Sequence, residues 1–239
     1  MKKKKYEFTD ETISVLGVTL KRIRAIRDFK NVKKGDLGGF IEKEANLSHD
    51  DDAWIYDDAK VYNDAKIYGN AAVCENAQVS MNARVCGDAL IYGNALIANN
   101  ALVCDYVWIF NNARIVDDAC IFGHAHVYEY AQVRNTAKVY GEACIFGRAH
   151  IYGDALIFNN TDYMTIGSIG SRFDTTTFFK NANNKISVSC GCFLGSLEKF
   201  RKEVEKVHGV NTKYAKVYQA AADLAEIQIL CKECEEAEE

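Results

Sequence analysis

No proline occurs among the 239 residues. Proline cannot donate to a β-ladder and breaks helix interiors, so its absence permits one almost uninterrupted ladder. No apolar run approaches the ~20 residues that a membrane-crossing helix needs. Lys2 to Lys5 lead into a charged, alternating segment, which excludes the apolar core of a secretory signal. The nine cysteines lack the spacing of a disulfide framework, and five of them fall at outward positions of the repeat below, where oxidation is a liability. A reducing cytoplasm is the expected compartment.

Charge of one sign is not in large excess, at a net of -4, but it is unevenly placed. Residues 1–34 hold eleven Lys or Arg against four acids, while Glu233 to Glu239 holds five Glu and no base. A basic stretch can meet a polyanion. No nucleic-acid motif accompanies it, so a solvated hairpin face is expected and nucleic acid is not.

What the chain does have is a period. Every sixth residue from Ala53 to Ala155 is alanine except Val107, and two positions after each of these eighteen stands Ile or Val, from Ile55 to Ile157. A unit such as Ala65-Lys66-Ile67-Tyr68-Gly69-Asn70 reads as a four-residue strand and a two-residue corner. Side chains alternate across a strand, so the alanine and the aliphatic residue face one way and the two between and after them face the other. Gly, Asn and Asp at the corner tolerate left-handed backbone. One thin apolar face forces the chain to coil around it, with successive coils paired in parallel ~4.8 Å apart.

With Val61 followed by Ala65 and Ile91 by Ala95, the pattern resembles the hexapeptide-repeat, left-handed parallel β-helix superfamily. The resemblance implies a triangular prism with three hexads per coil, hence about six 18-residue coils from eighteen hexads. One departure is clear: the residue after the aliphatic is small or acidic in that family's enzymes, and here it is usually Tyr, Phe or Cys. Gly35-Asp36-Leu37-Gly38-Gly39-Phe40 and the chain ends are similar to bacterial and phage-borne hexapeptide-repeat proteins that sometimes carry a transferase label on the strength of the repeat alone.

The expected organisation is an all-β solenoid with two appendages. Residues 1–36 form a β-hairpin cap turning at Leu16-Gly17, residues 37–160 the β-helix, and residues 161–239 a small α+β segment with two helices. Leu37, Ile41 and Leu47 are expected in an irregular first coil that covers the end of the stack. Strands are expected at Thr175 to Lys180 and Lys185 to Cys192. Ser196 and Thr212 are the helix N-caps and Gly209 the stop. The apolar stripe of the second helix is read as Tyr214, Val217, Ala221, Leu224, Ile227, Cys231 and Cys234.

Sorting outward residues by coil gives three unlike faces. The first carries Trp54, Leu90 and Trp108 beside Tyr56, Tyr92, Phe110, Tyr128 and Phe146, and is nearly free of charge. An apolar patch of that extent marks an interface, so a homo-oligomer, trimer or dimer, is expected through this face or the C-terminal helices.

Three constellations carry possible chemistry. The superfamily's acyltransferases have a catalytic His and an acyl-coenzyme A site between rods, which makes His124, His126 and His150 the candidates for acyl transfer from acetyl-coenzyme A. No loop is extruded from the eighteen hexads to wall such a site, and the metal-dependent members' three-histidine arrangement is not reproduced. Cys190, Cys192, Cys231 and Cys234 offer the four thiolates of a tetrahedral zinc site, but both pairs continue apolar patterns and are read as core. Gly167, Ser168, Gly170, Ser171, Arg172 and Asp174 form a Gly-Ser turn with an arginine, suited to a phosphate or carboxylate. The expected function is therefore binding without catalysis, cofactor or metal. The resemblance to phage-borne proteins points to sequestering a host protein or a nucleotide-like anion, and acyl transfer is the rival.

Overall fold

The computed structural model describes residues 4–231. Strand β1 (Tyr6–Val15) pairs antiparallel with β2 (Val18–Ala25) through a two-residue turn at Leu16 and Gly17, both at positive φ. Strand β3 (Leu37–Ile41) pairs antiparallel with β2 on one edge and parallel with the first coils on the other. Eighteen two-residue rungs follow, β4 (Trp54–Ile55) through β21 (Leu156–Ile157), each but the last three pairing with the rung eighteen residues on, as Leu90 with Trp108 and Ile91 with Ile109. They make three parallel sheets. One spans Trp54 to Cys144, one Lys66 to Leu156, and one Lys60 to His150, the last extended by the hairpin to nine strands. The irregular coil around Leu47, which bridges Ile67, brings the total to about seven coils.

The inward residues are as the period requires. All eighteen alanine-class positions and all eighteen aliphatic ones are buried, Val107 included. At each corner the first residue has positive φ, every sixth from Asp57 to Gly153. Where it is acidic, its carboxylate accepts the N–H of the corner above: Glu75 from Gly93, Asp105 from Gly123 and Glu129 from Gly147, each at 3.0 Å. An acid in a tight corner thus closes a donor the ladder leaves open.

The N-terminal end is sealed by aromatic packing. Trp54, expected on an open face, is only 1% exposed, because Phe29 and Tyr6 pack edge-on to it at 5.3 and 6.2 Å. Lys5 is fully buried there, its Nζ donating to the carbonyls of Asp51 and Ala53 at 2.7 and 2.6 Å, and burial holds its pKa down at about 8. The basic stretch is largely paired internally: Arg22 with Glu11 and Asp58, Arg24 with Glu7, Lys4 with Glu44. Lys2 and Lys3 lie outside the described residues, as do Glu233 to Glu239.

The C-terminal segment is a four-stranded antiparallel sheet, β22 (Tyr163–Ile169), β23 (Asp174–Lys180), β24 (Ile186–Cys190) and β25 (Phe193–Ser196), backed by α1 (Leu197–His208) and α2 (Lys213–Leu230). Ser196 and Thr212 accept from the N–H groups of Lys199 and Ala215, as their positions predict. The sheet docks on the last coils. The Tyr163 hydroxyl donates to the Cys144 carbonyl at 2.8 Å, and the His150 N–H donates to Thr177 Oγ1 at 3.1 Å. No described helix is long and apolar enough to cross a membrane.

Two expectations need correction. The buried face of α2 is Ala215, Tyr218, Ala221, Ala222, Ala225 and Ile229, not the larger-residue stripe. Small side chains allow close approach to the sheet, and Leu224 and Ile227 are left 50% and 61% exposed. The cysteines are not all free thiols: Cys86 and Cys104 occupy equivalent outward positions on adjacent coils, with Cα atoms 4.6 Å apart, and are joined as a disulfide.

Candidate ligand-binding site in the C-terminal cap

A cavity of about 380 Å³ opens between the cap sheet and its helices. Its lip is the turn between β22 and β23, contributing Ser171, Arg172 and Asp174. Its floor is the β24–β25 hairpin, Cys190 to Phe193, and its far wall is formed by Phe200, Glu203, Val204, Val207 and His208 of α1 with Tyr218 of α2. Capping at Ser196 and Thr212 fixes where both helices begin, and therefore which residues reach the cavity.

Rings make most of the apolar wall. Phe200 sits 5.5 Å from Phe193 and 5.6 Å from Tyr218, and His208 stacks on Tyr218 at 5.7 Å. The Tyr218 hydroxyl is set by Cys190, whose Sγ lies 3.9 Å away and itself accepts from Thr176 Oγ1 at 3.2 Å. Burial, with the neighbouring Cys190, pushes Tyr218 up to about 12 despite the Arg172 charge, which acts the other way. The phenol is a hydrogen-bonding group at neutral pH and not a base. Arg172 makes no ion pair among the described residues and stands exposed at the lip. An unpaired guanidinium beside aromatic walls suits a planar anion.

A second cavity, about 280 Å³, lies between the cap and the end of the rod. The rod supplies Tyr130, Gln132, Arg148 and His150, and the cap supplies Asp174, Thr175 and Gly191. His150 is half-buried and its pKa lies below the ordinary 6.5, chiefly through burial; Asp174 opposes the shift and Arg134 adds to it.

Of the anion-site residues read from the sequence, Ser171, Arg172 and Asp174 line the first cavity. Gly170 shapes it by lying against Tyr218. Gly167 and Ser168 are exposed and line neither cavity. The three histidines do not converge. His126 stacks on Trp108 on the first face, His124 stacks on Tyr106 at a corner, and His150 belongs to the sheet that carries Gln132. The cysteines expected in the core also differ: Cys192 is exposed in the hairpin turn, Cys231 is exposed after α2, and Cys234 lies outside the described residues. Among the described residues no group of three or more His, Cys, Asp or Glu is placed to hold a metal ion. The sequence reading missed Tyr218 and His208, whose only signal was their phase on two amphipathic helices.

On the first face, Tyr92, Phe110, Tyr128 and Phe146 stack in one column at 4.9 to 5.4 Å, beside Trp108, which is 44% exposed. Tyr56 is half-buried below this column and Leu90 half-buried beside it. No protein-family model matches the chain, and no curated protein does.

Proposed function

We propose that the protein is a binding module that takes a nucleotide-like anion in the cavity of its C-terminal cap, with the β-solenoid as its support. The observation that carries this is Arg172, without an ion-pair partner among the described residues, at the lip of a ring-walled cavity of about 380 Å³. A base packs against Phe193, Phe200 and Tyr218, and the phosphate meets the guanidinium. Base–aromatic stacking is worth ~1–3 kcal/mol per base, and an Arg–phosphate pair supplies bidentate, charge-assisted hydrogen bonds. Asp174 offers a carboxylate to sugar hydroxyls, as acidic residues do in dinucleotide sites. Binding in place of catalysis is supported by the neutral Tyr218 phenol and by the separation of the three histidines.

The test is calorimetric titration with adenosine monophosphate and, in parallel, acetyl-coenzyme A. Saturable binding of the nucleotide, weakened at least tenfold by Arg172→Ala and protecting the Cys192 thiol from alkylation, is expected. Acetyl-coenzyme A binding lost on mutation of His124 or His126 would replace this reading with acyl transfer.

A second reading concerns assembly. Trp108 and the stacked column beside it, together with Leu224 and Ile227 on α2, leave two apolar surfaces open. Self-association through one of them, as a dimer or trimer, covers surface that a monomer exposes to water.

A further inference from the structure

We propose that the two cavities are the halves of one site, and that its ligand is a dinucleotide lying across the ridge formed by Asp174 and Gly191. This rests on the nucleotide reading above and extends it to a second base and a second phosphate.

Both cavities are lined by Asp174 and Gly191. They are therefore two sides of a single wall, and one of the two residues on it carries no side chain. Gly191 sits in the hairpin turn at φ 57°, and a Cβ there would point to within 3.3 Å of Arg172 Nη1. A side chain there would press on the guanidinium, in a left-handed conformation that favours glycine. Glycine lets the arginine lie close against the shared wall.

The rod-side cavity repeats the chemistry of the cap-side one. Arg148 presents a guanidinium that makes no ion pair among the described residues, and Tyr130 presents an exposed ring. Gln132, held in the parallel ladder between Arg114 and His150, offers an amide that can both donate to and accept from a base edge. Asp174 lines both cavities, with Arg172 and Tyr218 in one and Arg148 and Tyr130 in the other. Its Oδ1 accepts the Thr175 N–H at 2.7 Å, which fixes the carboxylate on the ridge where a sugar would cross. Each volume alone lies near the lower end of the ~300–1,000 Å³ typical of small-molecule sites. Joined, they fall well inside that range.

The rod thus supplies half of the recognition. The Tyr163–Cys144 and His150–Thr177 hydrogen bonds hold the cap against the last coils, so both cavities belong to one docked unit.

The experiment compares adenosine monophosphate with the 5′-phosphorylated diadenosine dinucleotide, by calorimetry on the full chain. The wild type is expected to bind the dinucleotide at least tenfold more tightly. Arg172→Ala weakens both ligands, and Arg148→Ala removes the dinucleotide's advantage; each variant's melting temperature is checked first. Equal affinities in the wild type, or an advantage that survives Arg148→Ala, would overturn the bridged site and leave a mononucleotide site in the cap. Absence of binding by both ligands would sink the underlying nucleotide reading as well.

Discussion

Gly170 and Tyr218 share a space that admits no further atom: a β-carbon on Gly170 would lie 1.8 Å from the Tyr218 hydroxyl oxygen. The glycine, at φ 71°, also holds a conformation that costs other residues ~1–2 kcal/mol. It lets the turn that carries Arg172 close onto the helix that carries the cavity's central ring.

Gly170→Ala is therefore expected to destabilise the cap by about 2–4 kcal/mol, combining overpacking with backbone strain. Hydrogen exchange should speed up for Thr176 to Phe179 while rod amides such as Ile97 keep their protection. Unchanged exchange in the cap strands would show that Tyr218 does not fill this space.

The rod's register gives a second expectation. Ile97 is fully buried and Arg114 exposed. Ile97→Asp places an unpaired carboxylate in the prism and should unfold it, whereas Arg114→Ala should change stability by no more than ~0.5 kcal/mol. Equal melting temperatures for the two variants would invert the inward and outward assignment.

Assembly is tested by two surface pairs. The wild type is expected to scatter light as a dimer or trimer at micromolar concentration. Replacing Trp108 and Phe110 with Gln should dissociate it if the rod face is the contact, and replacing Leu224 and Ile227 should do so if α2 is. A monomeric wild type would refute self-association.

His150 sets a pH dependence. Its folded pKa lies below 6.5 because burial disfavours the imidazolium, with Arg134 adding to the shift and Asp174 opposing it; Thr177 and Tyr152 are its uncharged neighbours. The unfolded chain binds a proton near 6.5 that the folded chain refuses, so this stability is complete above that value and declines as pH falls. The urea midpoint should drop more between pH 7.5 and 5.5 in the wild type than in His150→Gln. An equal drop in both would mean that His150 titrates as freely folded as unfolded.

The rod was legible in the sequence because its period is a local property: each alanine and each aliphatic residue states its own direction. The hairpin turn and both helix caps were legible for the same reason. What failed was long-range. Trp54 looked outward by its register, and only the return of Tyr6 and Phe29 covers it. Helix α2 offers two apolar stripes one step apart, and the sequence cannot say that the alanine-rich one wins until the sheet beneath it is in place. Cys86 and Cys104 are eighteen residues apart in an array whose coil is eighteen residues long, so their pairing was implicit in the period. Arg172 was singled out by its turn, but the ring wall of the cavity it lines is assembled from three separate elements.

The shared sheet that joins the hairpin to the rod has a temporal consequence. Strands β1 to β3 leave the ribosome before the rod, and they pair by a short turn and a local crossing, with little loop entropy to overcome. The free edge of β3 then stands ready when Lys60 and Val61 emerge, and every later coil finds its template already built. The cap that holds Arg172 follows the rod in the chain, so its cavity is completed only after the coils it docks on have been laid down.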